Sequence, residues 1–308
     1  MNFCGLELKT PLMNASGVMS DHPAMLKEWE KAGVGAVVTK SITLDEKKPN
    51  PFYWDTNPPK LTMFRGKDWW INSMGLPNKG SEWWVKKLSR VKFNVPVIAS
   101  VATATGNLSD YQEIIKRVED HVDAFEINVS CPNTEKEIIG FNTDSLQYLV
   151  DTIDTSKIVG YKLPPYPEMG SMKPYELGFD EVGEYYLEKP VVTFIPEKVD
   201  TVMLGKVLKI LEKQDFVTSH NTLSTEYPLL SMPRGGLSGR PIHRFAVQQA
   251  HEISQLSTLE IACSGGVLRK NDACDFFLIK NVKAVQLASG VFQTDVPELF
   301  VKSLLGKK

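Results

Sequence analysis

A chain of 308 residues is long enough for one large barrel-type domain or two small ones. Its 35 basic and 37 acidic residues, net charge -2, make no field that would gather nucleic acid or an anionic membrane, so a small-molecule partner is the expectation. The four cysteines are widely spaced with no C-x-x-C pair, and neither a signal-type start nor an 18-residue apolar run is present; reduced thiols in a cytoplasmic protein are expected, with no zinc site.

Taken in chain order, short runs rich in Val and Ile alternate with longer helical patterns. The first is "PLMNAS" (11 to 16), followed by "GAVVTK" (35 to 40), "PVIASVA" (96 to 102) and "DAFEINVS" (123 to 130). Then come "KIVGYKL" (157 to 163), "DFVTSHN" (215 to 221), "LEIACSGG" (259 to 266) and "VKAVQLASG" (282 to 290). Continuous apolar strands imply burial on both faces, as in a parallel sheet covered by helices. Eight of them predict a (β/α)₈ TIM barrel. Between them, residues 108 to 121 carry Leu108, Ile114, Ile115 and Val118 at helical spacing, and residues 242 to 254 behave similarly. Two Pro-rich stretches exceed a minimal barrel: 41 to 84, which also holds tryptophans, and 164 to 200, with a candidate hairpin near "KPVVTFIPEK". Long insertions of this kind are usually functional, and they are expected as loops and hairpins covering the C-terminal mouth.

Chemistry in a barrel sits at the carboxyl ends of the strands. The polar residues closing the runs are Ser16 and Gly17, Lys40 and Ser41, Asn128 with Cys131 and Asn133, Lys162, Asn221 and Thr222, Ser264 to Gly266, and Ser289 with Gly290. Singly, each has a bland reading: a lysine at a strand end is mostly a solvated terminus, an asparagine a turn residue, a cysteine a small buried side chain. Jointly, two lysines and three asparagines at one mouth suit a planar, polar, anionic heterocycle. The small residues of "SGG" and "ASG" after the seventh and eighth runs fall where this fold commonly binds phosphate.

These residues carry a resemblance. "MNASGV" (13 to 18), "VTKSITL" (38 to 44), "INSMGLPN" (71 to 78), "NVSCPN" (128 to 133), "YKLPPY" (161 to 166), "GGLSG" (235 to 239) and "SGGV" (264 to 267) resemble, in order and across nearly the whole chain, the class 1A dihydroorotate dehydrogenases, soluble FMN-dependent enzymes of pyrimidine synthesis. The resemblance implies a single FMN-binding barrel domain over 1–308, in which Lys40, Asn72, Met74, Gly75, Leu76, Asn128, Asn133, Asn221 and Thr222 surround the pyrimidine. It places Ala15, Ser16, Gly17, Lys40, Ser41, Asn128, Lys162, His220, Gly239, Gly265, Gly266, Ala288 and Ser289 around FMN, and makes Cys131 the catalytic base. Lys40 is left open between the substrate carboxylate and the flavin.

The chemistry agrees with that assignment. Oxidising dihydroorotate removes a hydride from C6 and a proton from C5, and a thiol with a pKa near 8.5 is a usable base where positive charge favours its thiolate. The resemblance further implies fumarate as electron acceptor, a homodimer, and neither a membrane nor a nucleic-acid partner. A partner subunit carrying FAD and an iron–sulfur cluster, as in NAD-linked enzymes, is the alternative, and dihydropyrimidine (uracil or thymine) dehydrogenase chemistry is a second. A flavin-binding module without turnover is disfavoured by Cys131 beside the asparagines, and a thiol hydrolase lacks a motif-placed histidine, since neither His121 nor His220 sits in one. Three departures stand out: a short strap after Asn221, a longer segment over 167 to 200, and Ala288 where the family's last phosphate turn has glycine.

Overall fold

A computed structural model describes residues 1–130, 138–179, 181–294 and 296–306. All eight apolar runs form strands of one parallel sheet: β1 Leu12–Asn14, β2 Val37–Val38, β3 Val97–Val101, β4 Ala124–Asn128, β5 Ile158–Lys162, β6 Phe216–Thr218, β7 Glu260–Ser264 and β8 Val282–Leu287. Each strand pairs with its neighbours in sequence. The ring runs from β2 through β8 to β1, and a bridge between Met13 and Ala36 joins β1 to β2.

A helix follows each strand: α1 Pro23–Ala32, α2 Ser81–Leu88, α3 Ser109–Val118, α4 Thr143–Thr152, α5 Thr201–Ile210, α6 Arg240–Leu256, α7 Lys270–Phe277 and α8 Pro297–Leu305. Their starts are chemically marked. The Asp200 carboxylate accepts from Met203 N at the head of α5 (2.9 Å), and the Asn142 amide oxygen accepts from Ser145 N at the head of α4 (2.9 Å). The stretch predicted as one helix over 108 to 121 divides into α3 and a 3₁₀ turn, Glu119–His121, because Val122 already has the extended backbone that leads into β4.

Strand side chains alternate between two surroundings. Phe125 and Ile127 of β4, Val217 of β6 and Ile261 and Cys263 of β7 point outward into the core shared with the helices. The inward residues are apolar only at the amino ends of the strands, where Met13, Ala36, Val38, Ile98, Ala124, Phe216, Ala262 and Ala284 pack with Phe3, Leu6 and Leu8 of the N-terminal segment. Two residues further along, the inward positions turn polar: Lys40, Ser100, Glu126, Lys162, Thr218, Ser264 and Gln286, all buried. The barrel is therefore an apolar plug below and a polar floor above.

The two insertions form the cover. Strands Met63–Arg65 and Trp69–Asn72 join Leu223–Thr225 and Gly235–Gly239 in a four-stranded antiparallel sheet with its own core of Phe64, Trp69, Ile71, Leu223, Tyr227 and Leu237. The hairpin expected near 189 to 198 is larger than the motif suggested. Val192–Pro196 is only its second arm, paired with Met172–Glu176, because the chain between the arms holds the short helix Glu181–Tyr186 instead of a tight turn.

Candidate active site

The cavity between floor and cover has two joined lobes. Ala15, Ser16, Lys162, Asn221, Thr222, Ala288 and Ser289 line both. Gly17, Lys40, Ser41, Asn72, Met74, Leu76 and Asn128 line the first, under the four-stranded sheet, and His220, Gly265 and Gly266 line the second. The structure thus brings together most of the residues singled out in the sequence. Gly75 and Gly239 are not on the wall. Cys131 and Asn133 lie outside the described residues.

Gly75 serves the loop that presents its neighbours. It and Leu76 have left-handed backbones (φ +78° and +56°), and a β-carbon on Gly75 would run into the Asn50 side chain. Asn50 binds the loop twice, its amide donating to Ser73 O (2.7 Å) and its backbone N–H to Met74 O (2.8 Å), while the Asn78 amide donates to Leu76 O (3.0 Å). Gly239, φ +93°, caps α6 and packs its carbonyl against Gly266.

Hydroxyls and amides at the mouth form a chain. Ser16 and Ser41 are 3.1 Å apart and Ser41 and Ser100 3.0 Å, and the Asn128 amide donates to Ser41 Oγ (3.0 Å). Asn128 Oδ1 accepts from Ser130 Oγ (2.8 Å), which itself accepts from Asn221 Nδ2 (2.6 Å). Asn128, Ser130 and Asn221 are thereby locked to one another, and Ser130 is the residue directly before Cys131.

The second lobe ends in the turn Ser264–Gly266. Gly265 and Gly266 have φ +126° and +67°, and the His243 ring holds the turn from behind, with Nδ1 at 2.9 Å from Gly265 O and Nε2 at 3.1 Å from the Asp275 carboxylate. Asp272, beside them, already accepts from Leu268 N, Arg269 N and Arg240, so its oxygens are committed to the head of α7. Ala288 has a negative φ of -130°, so this position does not call for the left-handed backbone that favours glycine.

His220 is fully buried and edge-on to Phe245. Burial pulls its pKa down to about 3, and the nearby Lys162 ammonium adds to that effect. Sequence reasoning missed Met19, Met63, Trp70, Ser238 and Phe292 on the wall, and Glu126, Thr218 and Gln286 in the floor. Of the first group, Met19, Met63, Trp70 and Phe292 sit in segments without a motif, whereas Ser238 lies inside "GGLSG". The floor residues carried a signal, namely polar residues at alternate positions inside otherwise apolar runs.

The family model for dihydroorotate dehydrogenase matches residues 1–298. The chain belongs to the dihydroorotate dehydrogenase family. It is 30% identical over 308 residues to the catalytic subunit of dihydroorotate dehydrogenase B (NAD(+)) of Methanothermobacter thermautotrophicus, covering 99% of this chain and 90% of the relative. It is 27% identical over 308 residues to dihydroorotate dehydrogenase A (fumarate) of Lactiplantibacillus plantarum, covering 95% and 87%. Ligand-free DHODH from Eimeria tenella superposes with a TM-score of 0.76 at 18% identity, over 100% of this chain and 85% of that one, a likeness of fold. Dihydroorotate dehydrogenases are generally flavin-dependent oxidoreductases. None of the described helices is long and apolar enough to cross a membrane.

The residues of the second lobe suit a planar, anionic cofactor such as a flavin. A Cβ at Gly265 or Gly266 would collide with Ala246, Gly239 or His243, so bare backbone lines the space at this turn. Lys162 supplies a cation, and no Asp or Glu among the described residues lines either lobe.

Proposed function

We propose that this protein oxidises dihydroorotate to orotate, holding one FMN in the second lobe and the pyrimidine in the first, with fumarate as electron acceptor. The observation that carries this reading is the convergence of Lys40, Asn72, Asn128, Asn221, Thr222 and Lys162 on one cavity beside a left-handed glycine turn. Lys40 and the amides supply donors and acceptors for a planar anion. Ser264 to Gly266, Ala288 and Ser289 would take the phosphate, with Ser16, Gly17 and Ser41 along the rest of the cofactor. Bound FMN supplies the acceptor for the hydride leaving C6. Cys131, one residue beyond the anchored Ser130, removes the C5 proton, and Lys162 faces the charge that reduction leaves on the flavin. The same pocket then admits fumarate, a small dianion suited to Lys40 and the amides. The resemblance to class 1A adds a cytoplasmic homodimer built on a single barrel domain.

The test is purification of the chain alone. A yellow protein whose flavin is bleached anaerobically by dihydroorotate, and whose spectrum is perturbed by orotate and not by uracil, is expected. Perturbation by uracil alone would transfer the reading to dihydropyrimidines. The likeness to NAD(+)-type catalytic subunits supports a second reading of the oxidative half, in which reoxidation needs an added FAD/iron–sulfur subunit.

A further inference from the structure

Glu126 sits in the middle of β4 with no solvent exposure. A carboxylate in that position is costly unless it is hydrogen-bonded and paired. One oxygen, Oε2, accepts from Thr218 Oγ1 at 2.7 Å and from Gln286 Nε2 at 2.5 Å. The other, Oε1, has no hydrogen-bond donor among the described residues and lies 3.8 Å from Lys162 Nζ. Lys162 Nζ donates to the other end of the Gln286 amide, at 3.3 Å from Oε1. Four strands, β4, β5, β6 and β8, therefore contribute one residue each to a closed cluster at the level where the barrel interior turns polar.

The cluster is polarised. Lys162 faces both lobes of the cavity, whereas Glu126 faces neither. A negative charge thus stands directly behind the cation that the site presents, in surroundings where such charges are weakly screened. Gln286 bridges the two and sets where the ammonium stands.

We infer that Glu126 is a positioning residue for the redox reaction: from beneath the floor it fixes the Lys162 ammonium at the cavity and offsets part of its charge, thereby holding down the reduction potential of the bound flavin. The inference rests on the functional reading above. Two-electron reduction by dihydroorotate leaves negative charge on the flavin, and an uncompensated Lys162 would favour that state strongly. Glu126 moderates this preference, so that the electrons can be passed on to an acceptor.

The test is the two-electron midpoint potential of the purified protein at fixed pH. Glu126→Gln keeps the shape and the Oε2 contacts but removes the charge. It should move the reduction equilibrium at least tenfold toward the reduced form, about +30 mV for a two-electron couple. Lys162→Met should move it the opposite way. A merely structural Glu126 would change stability and leave the potential alone, so a wild-type potential in Glu126→Gln overturns the inference. Should that variant fail to fold, Glu126→Asp, which withdraws the carboxylate by one methylene, decides the matter: a positive shift is expected and no shift overturns. Thermal unfolding of the same proteins supplies a second arm. Lys162→Met strands a buried carboxylate, so adding Glu126→Gln to it should restore stability, and simple additivity would overturn the pairing. A protein that holds no flavin and leaves dihydroorotate unoxidised defeats the functional reading and the control of potential together. A non-additive unfolding cycle in that protein would show the failure to lie in the functional reading and not in the pair.

Discussion

At the scale of single residues the site separates groups that react from groups that stay inert. If Cys131 is the C5 base, Cys131→Ala should leave flavin and orotate binding nearly intact, since Lys40, Lys162 and the asparagines are untouched. Flavin reduction by dihydroorotate should slow by about 10² to 10⁴ in anaerobic stopped flow, and its rise with pH should vanish. An alanine variant reduced as fast as wild type would end the claim. His220 behaves in the opposite way, because burial keeps it neutral with a pKa of about 3. Below its unfolded value near 6.5 the unfolded chain binds a proton that the folded chain refuses, so stability is full above that pH and falls as pH drops toward the folded value. Between pH 6.5 and 5 this one group should cost about 2 kcal/mol, at ~1.4 kcal/mol per pH unit. Urea titrations at the two pH values should show a correspondingly shallower dependence in His220→Gln. Equal slopes in the two proteins would show that the ring is not excluded from protonation.

At the scale of elements, glycine turns and polar strand faces do different work. The sequence places Gly266, in "SGG", where this fold commonly binds phosphate, which on its own would make a side chain there a matter of occupied space. The structure shifts the reason: its left-handed backbone and the carbonyl of Gly239 behind it mean that a Cβ strains the turn before reaching the cavity. Gly266→Ala should therefore lose flavin occupancy together with at least 1 kcal/mol of stability, the range for strained left-handed positions. Flavin content and melting temperature measured together check this, and full occupancy in a stable alanine variant would remove the turn from the proposed phosphate site. The strand faces could have been read further. Glu126, Thr218 and Gln286 interrupt apolar runs at inward positions, and a two-residue period counted within "DAFEINVS", "DFVTSHN" and "VKAVQLASG" places them opposite the outward-packing residues.

At the scale of the whole molecule, the cover decides what reaches the cavity. The four-stranded sheet closes one side, and Met63, Trp70 and Phe292 set apolar walls beside the polar donors of the first lobe. A small acceptor that fits where orotate fits should be competent. Fumarate should therefore reoxidise the dihydroorotate-reduced protein without any second protein, with orotate competing. Reoxidation seen only after an iron–sulfur partner is added would assign the chain to the NAD-linked branch.

The order and number of the barrel strands were legible because each is a local run of apolar residues, and burial on both faces leaves that mark irrespective of the rest of the chain. The strand-end residues followed from the same runs, since the fold places chemistry where each run stops. Tertiary structure alone decided which residues meet across the barrel. The cover joins residues 63 to 72 with 223 to 239, and the floor joins Glu126, Lys162, Thr218 and Gln286 from four strands. No local pattern encodes those pairings, because they arise only when the sheets close and bring residues as much as 168 positions apart within hydrogen-bond reach.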